Sequence, residues 1–330
     1  MSNNSSINIS TSTIIRTILI LFGFWVAFLI RDIILMLFLA ITVASAVDQQ
    51  VDFLEKKGIK RFFGVAMIYF LIILIVLVIL YLIIPSVVGQ VKTFSNNLSA
   101  YLNSSFEFSN THLQVENITQ SIINKISGGG AISNIFSFTK NIYQTITLII
   151  TGLVLSIYIN TQESVIKNFL IAFIPKEQQS KIIPLIEKSQ KQVGSWLRGE
   201  LLLMFCVGLF TYLGLSLLHV KYALSLSVLA GFLEIIPFLG PILSAVPAII
   251  VALTESSFLA LLVLGLYIVV QELEAHILVP QVMKKSVGLN PVLIILTILI
   301  GGKLGGIMGA IVSIPLMAIG KIILEERRKM

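Results

Sequence analysis

The stretch FFGVAMIYFLIILIVLVILYLII, residues 62–84, contains no charged residue. A helix needs about 20 apolar residues to cross the roughly 30 Å hydrocarbon core of a bilayer, so this stretch is long enough to span it. The whole chain shares this character, with 56% hydrophobic and 12% charged residues and a mean hydropathy of +0.98. Soluble domains carry about 25% charged residues. The composition therefore excludes a soluble fold and predicts an all-α polytopic membrane protein.

Basic residues predict how the chain crosses the membrane, because cytoplasmic loops are rich in Lys and Arg. The loop before residue 62 ends in Lys56, Lys57, Lys60 and Arg61, and both termini are then cytoplasmic in an inner membrane. The first two spans, 14–30 and 33–47, are expected to form a hairpin. The predicted segments are a disordered tail (1–13), three transmembrane helices (14–84), an external amphipathic helical segment (85–140), a fourth transmembrane helix (141–159), a cytoplasmic amphipathic segment (160–200), a repeat-bearing transport core (201–324) and a cytoplasmic tail (325–330).

The external segment carries apolar residues at helical spacing, such as Val88, Val91, Leu98 and Leu102. This spacing is typical of amphipathic helices that bury one face. One short segment offers little surface to cover those faces. We therefore expect the segment to pack against a copy of itself in a homo-oligomer.

An internal repeat lies in the C-terminal half. A shift of 65 positions sets LGPILSAV, residues 239–246, beside LGGIMGAI, residues 304–311, and four of the eight pairs are identical. Transporter sites are often built between such repeats. Each copy is interrupted by helix breakers: Pro237, Gly240 and Pro241 in the first, and Gly301, Gly302, Gly305 and Gly306 in the second.

These breaks predict two inverted re-entrant hairpins added to about six full spans, or eight spans if each broken segment crosses the membrane. The half-segments of about 11 to 16 residues reach roughly 17 to 24 Å as helices, enough to enter the bilayer and return. Such hairpins are tolerated where protein or water covers their backbone groups. If residues 225–253 form a hairpin, Lys284 and Lys285 are cytoplasmic, whereas a single crossing places them outside. The charge rule favours the hairpin.

Ionisable residues inside membrane segments are costly, at about 2.5–3.5 kcal/mol each, and they often mark transport paths. Glu234 precedes the first break and Lys303 lies in the second, while Glu272 and Glu274 lie in the span between the repeats. The pairs Gln271 with Glu274 and Glu272 with His276 have helical spacing and could line one polar groove. Alternatively, Glu274 and His276 meet headgroups and water near the helix end. The predicted transport path comprises Glu234, Gln271, Glu272, Glu274 and Lys303.

Catalytic and cofactor-binding motifs are absent from the sequence. It has no HExxH metal helix and no Walker glycine loop, and its single cysteine, Cys206, and three histidines form no recognisable triad or metal site. We therefore expect no enzyme activity, cofactor or metal. The net charge of +7 reflects loop residues at a membrane surface rather than nucleic-acid binding.

Four stretches of the C-terminal half resemble the autoinducer-2 exporter family, a permease family of bacterial and archaeal inner membranes. They are GSWLRGELLL (194–203), EIIPFLGPILSAVPAIIVAL (234–253), QELEAHILVPQVMKKSVGLNPV (271–292) and IGGKLGGIMGAIVSIPL (300–316). The resemblance implies a multi-span permease that self-associates. Its members are credited with exporting the signal autoinducer-2 or with sodium–proton exchange.

Two acidic residues depart from the pattern of that family. Members often have glutamine where this chain has Glu200, and asparagine or a similar residue where it has Glu234. A carboxylate in an apolar groove favours its protonated form unless it is paired, so Glu234 or Glu272 could exchange a proton for a cation. The expected function is a secondary transporter or permease of a small solute or ion, with an autoinducer-2-like signal as the candidate solute that the resemblance implies. The alternatives are a sodium–proton antiporter and a non-transporting membrane scaffold.

Overall fold

The computed structural model describes residues 11–82, 147, 150–162, 168, 171–172, 174–283 and 290–328. Every regular element in these residues is a helix, and six helices are long and apolar enough to cross a membrane, which confirms an all-α polytopic membrane protein. The external segment, 85–140, lies outside the described residues. The elements are α1 (Thr11–Leu29), α2 (Arg31–Lys56), α3 (Arg61–Leu82), α4 (Ile150–Thr161), α5 (Lys176–Leu217), α6 (Ala223–Leu233), α7 (Leu239–Leu253), α8 (Ser257–Leu273), a π-helix (Glu274–Leu278), α9 (Val279–Met283) and α10 (Pro291–Arg327).

The first two helices do not form the hairpin that the sequence suggested. Only Ile30 separates α1 from α2, and its backbone angles, φ −97° and ψ 16°, stay close to helical values. The amide of Ile34 still donates to the carbonyl of Ile30. No residue in the apolar window of α1 is buried, so α1 does not lie back along α2. One residue in this conformation kinks a helix but cannot reverse its direction.

Polar side chains join α2, α3 and α4 at the end of the bundle that carries Lys56 and Lys57. Arg61 on α3 donates to Asp48 at 2.7 Å and to Asp52 at 3.0 Å on α2, and to the carbonyl of Asn160 on α4 at 2.9 Å. Asn160 donates in turn to the hydroxyl of Tyr69, which is hydrogen-bonded to Ser156. Such hydrogen bonds stabilise the association of helices in a membrane, where surrounding lipid removes the hydrophobic driving force for that association.

We expect Arg61→Gln to lower the free energy of unfolding by about 1–3 kcal/mol, because it leaves the acidic residues on α2 without their shared cation. Lys60→Gln is the matched control, since the neighbouring Lys60 is exposed. Thermal unfolding of the purified protein in lipid nanodiscs measures both variants. Equal unfolding temperatures for the two would show that the Arg61 network adds no stability.

The first repeat folds into a hairpin, which we call hairpin 1, from Ala223 to Leu253. Its arms α6 and α7 share one apolar cluster, in which Leu226 and Ala230 are buried together with Ala248 and Ala252. The loops at its two ends meet, since Lys221 lies 3.4 Å from Glu255. Two segment ends held this close cannot lie on opposite sides of a bilayer about 30 Å thick.

The second repeat also doubles back, within α10, and we call it hairpin 2. Gly305 (φ −137°, ψ 19°) and Gly306 (φ 60°, ψ −146°) leave the helical conformation. A Cβ on Gly301 would collide with the carbonyl oxygen of Gly309 and come within 2.6 Å of the Ser313 Cβ. In a straight helix, residues 301 and 309 would be about 12 Å apart along the axis. The apolar length of α10 is therefore divided between two antiparallel arms.

The two hairpins meet tip to base. Ile236, at the tip of hairpin 1, packs on a cluster formed by Ile298, Ala310, Ile314 and Ala318 of hairpin 2 together with Ala46, Trp196 and Leu197. The tip of hairpin 2 lies away from this cluster, where Gly305 approaches Leu35 on α2. This arrangement fits a pair that enters from opposite ends. Lys284 and Lys285, on which the charge argument rested, lie outside the described residues.

Candidate transport site

Two glycines set the register between α5 and hairpin 1. A Cβ on Gly231 would lie 2.6 Å from the carbonyl oxygen of Met204, and one on Gly208 would lie 3.3 Å from that of Ser227. The backbones of α5 and α6 thus run antiparallel in close contact. Glu200 lies one helical turn before Met204 on the same face of α5, because residues four apart share a helical face. Since α6 runs in the opposite direction, this places Glu200 at the level of Glu234.

Glu274 comes to the same level from the third element. Helix α8 runs antiparallel to α7, and the hydroxyl of Tyr267 donates to the carbonyl of Ser244 at 3.2 Å. Two turns further along, α8 passes into the π-helix that begins at Glu274. The wider π turn is found frequently at functional sites. Gln271 donates to the Glu274 carboxyl at 3.4 Å, a long bond that helps to orient it.

The three glutamates form one buried cluster, which we call the carboxyl cluster. Glu200 and Glu234 are each 1% exposed, and Glu274 is 4% exposed. The carboxyl groups of Glu234 and Glu274 lie within hydrogen-bonding reach of each other, and Glu200 is close enough to interact electrostatically with both. Among the residues that the structure describes, both carboxyl oxygens of Glu200 and the Oε2 of Glu234 have no hydrogen-bond partner.

A hydrogen bond between two carboxyl groups needs a proton, since an ionised carboxylate only accepts. If Glu234 and Glu274 form such a bond, the pair carries at least one proton. In the part of the chain that the structure describes, no Lys, Arg or His forms an ion pair with the carboxyl cluster. Burying uncompensated charges of one sign costs several kcal/mol per group, so the number of protons bound controls the charge of this site.

Apolar clusters close the site on two sides. One contains Tyr267, Val263, Leu215 and the arms of hairpin 1, and it lies towards the end marked by Lys221 and Glu255. The other contains Trp196 and Leu197, one turn before Glu200, packed with the base of hairpin 2. Hairpin 1 contributes its arms to the first cluster and Ile236 to the second, whereas hairpin 2 contributes to the second alone. We call the two clusters seals, and the carboxyl cluster lies between them.

The structure brings some of the predicted site residues together and separates others. Glu234, Gln271 and Glu274 meet as expected. Glu272 does not join them: its side chain is 67% exposed and lies 3.1 Å from the exposed His276. Lys303 is also exposed. The predicted residues therefore do not line one groove. Residues 272 and 274 are two positions apart, so Glu272 and Glu274 point to different faces of the helix.

The helix breaks lie at the hairpin tips. Gly240 and Pro241 are buried at the start of α7, and a Cβ on Gly240 would collide with the carbonyl oxygen of Leu233. Pro237 lies in the turn between the arms, and in hairpin 2 the turn falls at Gly305 and Gly306, with Gly301 on the close contact between the arms. Gly302 has more space, since its nearest neighbour would be 3.9 Å away.

Sequence reasoning missed Glu200 as a site residue. It placed the boundary between a cytoplasmic segment and a membrane span at residue 200, whereas α5 runs unbroken from Lys176 to Leu217. The sequence did contain a sign that Glu200 could be a site residue, because this acidic residue directly precedes the apolar run LLLMFCVGLF. No group of three His, Cys, Asp or Glu side chains that could hold a metal ion occurs in the described ranges.

Comparison with known proteins agrees with this architecture. The model of a family described as "AI-2E family transporter" matches residues 14–329. A Bacillus subtilis protein named "Putative transport protein YrrI" is 25% identical over 314 residues, covering 91% of this chain and 88% of that protein. An Escherichia coli protein named "Putative transport protein YhhT" is 26% identical, covering 90% and 85%.

The Escherichia coli protein named "AI-2 transport protein TqsA" is 32% identical over 142 residues, covering 43% of this chain and 41% of that protein. These comparisons support transport and lend no support to a scaffold or to a sodium–proton antiporter. They also argue against an enzyme, since the matched proteins are named for transport. The match over nearly the whole length, together with six apolar helices, shows that the chain belongs to the AI-2E family and is a membrane transporter or permease.

Proposed function

We propose that this protein is a secondary transporter that couples the movement of a small solute to proton binding at the carboxyl cluster. The observation that carries the proposal is the close approach of the buried carboxyl groups of Glu234 and Glu274, which can hydrogen-bond to each other only when one of them carries a proton. When this proton leaves, two carboxylates face each other in a poorly solvated site and repel. The proton content of the site therefore alters the stability of the closed state.

The hairpins are the proposed gates. Separation of hairpin 1 from Leu215 and Tyr267 opens the site towards the Lys221 end, whereas separation of hairpin 2 from Trp196 opens it towards the other end. Only one seal is broken at a time. Glycines at the tips allow the backbone to bend without steric cost from a Cβ. In this scheme both hairpins are re-entrant, hairpin 1 from outside the cell and hairpin 2 from the cytoplasm.

The solute class follows from the chemistry of the site and from one relative. A cluster of carboxyl groups with no cation disfavours anions and suits a neutral solute that donates hydrogen bonds. The TqsA protein is named for the transport of AI-2. We therefore take autoinducer-2 as the first solute to test. The protein would act in the inner membrane with its C-terminus in the cytoplasm. The cytoplasmic N-terminus expected from the sequence required a hairpin of α1 and α2, so it is not part of this scheme.

A vesicle assay tests the proposed function. Purified protein is reconstituted into liposomes loaded with autoinducer-2, and solute release is followed under an imposed pH gradient with the membrane potential clamped. We expect release to depend on the direction of the pH gradient and to stop when a protonophore removes it. A parallel arm replaces autoinducer-2 with sodium. Release that ignores the gradient in every arm would exclude proton coupling.

The sidedness of hairpin 1 gives a separate prediction. In a Cys206→Ser background, Thr254→Cys and Lys221→Cys should both react with a membrane-impermeant thiol reagent added to intact cells, because both loops are external in the proposed topology. Lys57→Cys is the control, which should react only after the cells are permeabilised. Protection of Thr254→Cys alongside labelling of Lys221→Cys would mean that residues 225–253 cross the membrane.

The proposed assembly is a homo-oligomer that buries the apolar stripes of the segment 85–140. Cross-linking of the protein in lipid nanodiscs measures its subunit number. We expect oligomers that weaken when Leu98 and Leu102 are replaced by serine, since each change exposes a polar group in place of apolar surface. A protein that stays monomeric at every accessible concentration would contradict this assembly.

A further inference from the structure

The geometry points to Glu200 as a second proton carrier, separate from the proton shared by Glu234 and Glu274, so that the transporter moves two protons in each cycle. This inference rests on the proposed function and extends it from proton coupling to the number of protons coupled. It also assigns a role to a residue that lies outside the predicted transport path.

Glu200 cannot remain charged in its present surroundings. It is 1% exposed, and within the described part of the chain neither of its carboxyl oxygens has a hydrogen-bond partner. An ionised carboxylate without partners in a medium of low dielectric constant loses most of its hydration energy, so the neutral acid is strongly preferred. Glu200 is therefore protonated in the closed structure.

The groups that face Glu200 from its neighbouring elements offer no positive charge. Hairpin 1 presents Glu234, and the π-helix presents Glu274. On α5 itself, Arg198 lies two positions away but donates to the carbonyl of Ala46 on α2 at 2.9 Å. Hairpin 2 contributes apolar side chains here, and its charged tip residue, Lys303, is exposed. Among the described residues, the ionisable groups shown to interact with Glu200 are thus the carboxyl groups of Glu234 and Glu274.

The proton on Glu200 is distinct from the shared one. Because the oxygens of Glu200 make no hydrogen bond, its O–H neither donates to Glu234 or Glu274 nor accepts from them. The closed site then holds at least two protons on its three carboxyl groups, one on Glu200 and at least one on the pair formed by Glu234 and Glu274. When a seal opens to water, each acid can release its proton to a water molecule, and the site returns to the closed state after it binds two protons again.

Infrared spectroscopy of the protein in lipid nanodiscs at neutral pH tests this inference directly. The wild type should show carbonyl absorption from protonated carboxyl groups in two components, one hydrogen-bonded and one not. Glu200→Gln should remove the component without hydrogen bonding, and Glu234→Gln should remove the other. Glu272→Gln, at an exposed position, should change neither. A Glu200→Gln spectrum identical to wild type in this region would overturn the inference.

The coupling ratio gives a second and independent measurement. In vesicles with a clamped membrane potential, a tenfold gradient of autoinducer-2 should be balanced by about 0.5 pH unit in the wild type and by about 1 pH unit in Glu200→Gln, since each coupled proton contributes its own gradient. Glu200→Asp, which keeps the carboxyl group, should retain the wild-type value.

The outcomes separate the two proposals. A wild-type balance at about 1 pH unit would exclude a second proton while leaving proton coupling in place. Flux that is insensitive to pH in the wild type would instead refute the proposed function. If Glu200→Gln does not assemble, the wild-type balance point and the infrared components of the wild type still decide the matter.

Discussion

Replacing Glu274 or Glu234 with glutamine is expected to lower proton-driven flux at least tenfold while leaving folding and assembly nearly intact. An amide keeps the shape of the side chain but carries no exchangeable proton at this site. The shared hydrogen bond can persist, because the amide NH2 donates where the carboxyl O–H did. A tenfold loss corresponds to about 1.4 kcal/mol. The vesicle assay measures the flux, and gel filtration measures assembly.

The pH dependence of flux should flatten in the same variants, because the number of titrating groups in the site falls. Glu272→Gln is the matched control, since it lies two residues from Glu274 but is 67% exposed. Breaking its surface pair with His276 should cost no more than about 1 kcal/mol of stability and leave flux unchanged. Wild-type flux and pH dependence in both Glu234→Gln and Glu274→Gln would remove the carboxyl cluster from the mechanism.

The polytopic class and the hairpin breaks were predictable from the sequence. Apolar length decides that helices can span lipid, and proline and glycine decide where those helices stop. Lys221 lies 3.4 Å from Glu255, so the ends of hairpin 1 meet. Re-entry of this hairpin into the membrane stays a prediction, which the sequence supported only through the charges at Lys284 and Lys285. The kinked junction at Ile30 could not be predicted, because the pair Arg31 and Asp32 is compatible both with a turn between two helices and with the start of a continuing helix.

The site was only partly predictable, because periodicity places a side chain on a helical face but does not say which face meets a neighbour. Glu272 and Glu274 both lie in an apolar helix, yet only Glu274 points to hairpin 1. The sequence showed that Glu200 borders an apolar run and departs from the family pattern, but only tertiary contacts place it in the site. The close approach of α5 and α6 at Gly208 and Gly231 fixes the register that sets Glu200 beside Glu234.

A substitution at Gly309 is expected to have the second large effect on stability and transport, because the arms of hairpin 2 are in close contact there. A Cβ there would collide with the carbonyl oxygen and lie 2.9 Å from the carbonyl carbon of Gly301, and backbone atoms cannot rotate away as a side chain can. We therefore expect Gly309→Ala to cost about 1–3 kcal/mol of stability, as overpacking does elsewhere, and to abolish transport by spreading the arms.

Gly302→Ala is the control for Gly309→Ala, since it adds the same methyl group to the same hairpin with its nearest neighbour 3.9 Å away. That substitution should leave stability unchanged or raise it by about 0.4–1 kcal/mol, because alanine reduces the freedom of the unfolded chain. Thermal unfolding and vesicle flux measure both variants. If Gly309→Ala unfolds at the same temperature as Gly302→Ala and transports normally, the arms of hairpin 2 are not packed backbone to backbone. The second repeat would then be a single long helix, and the path would keep only the gate formed by hairpin 1.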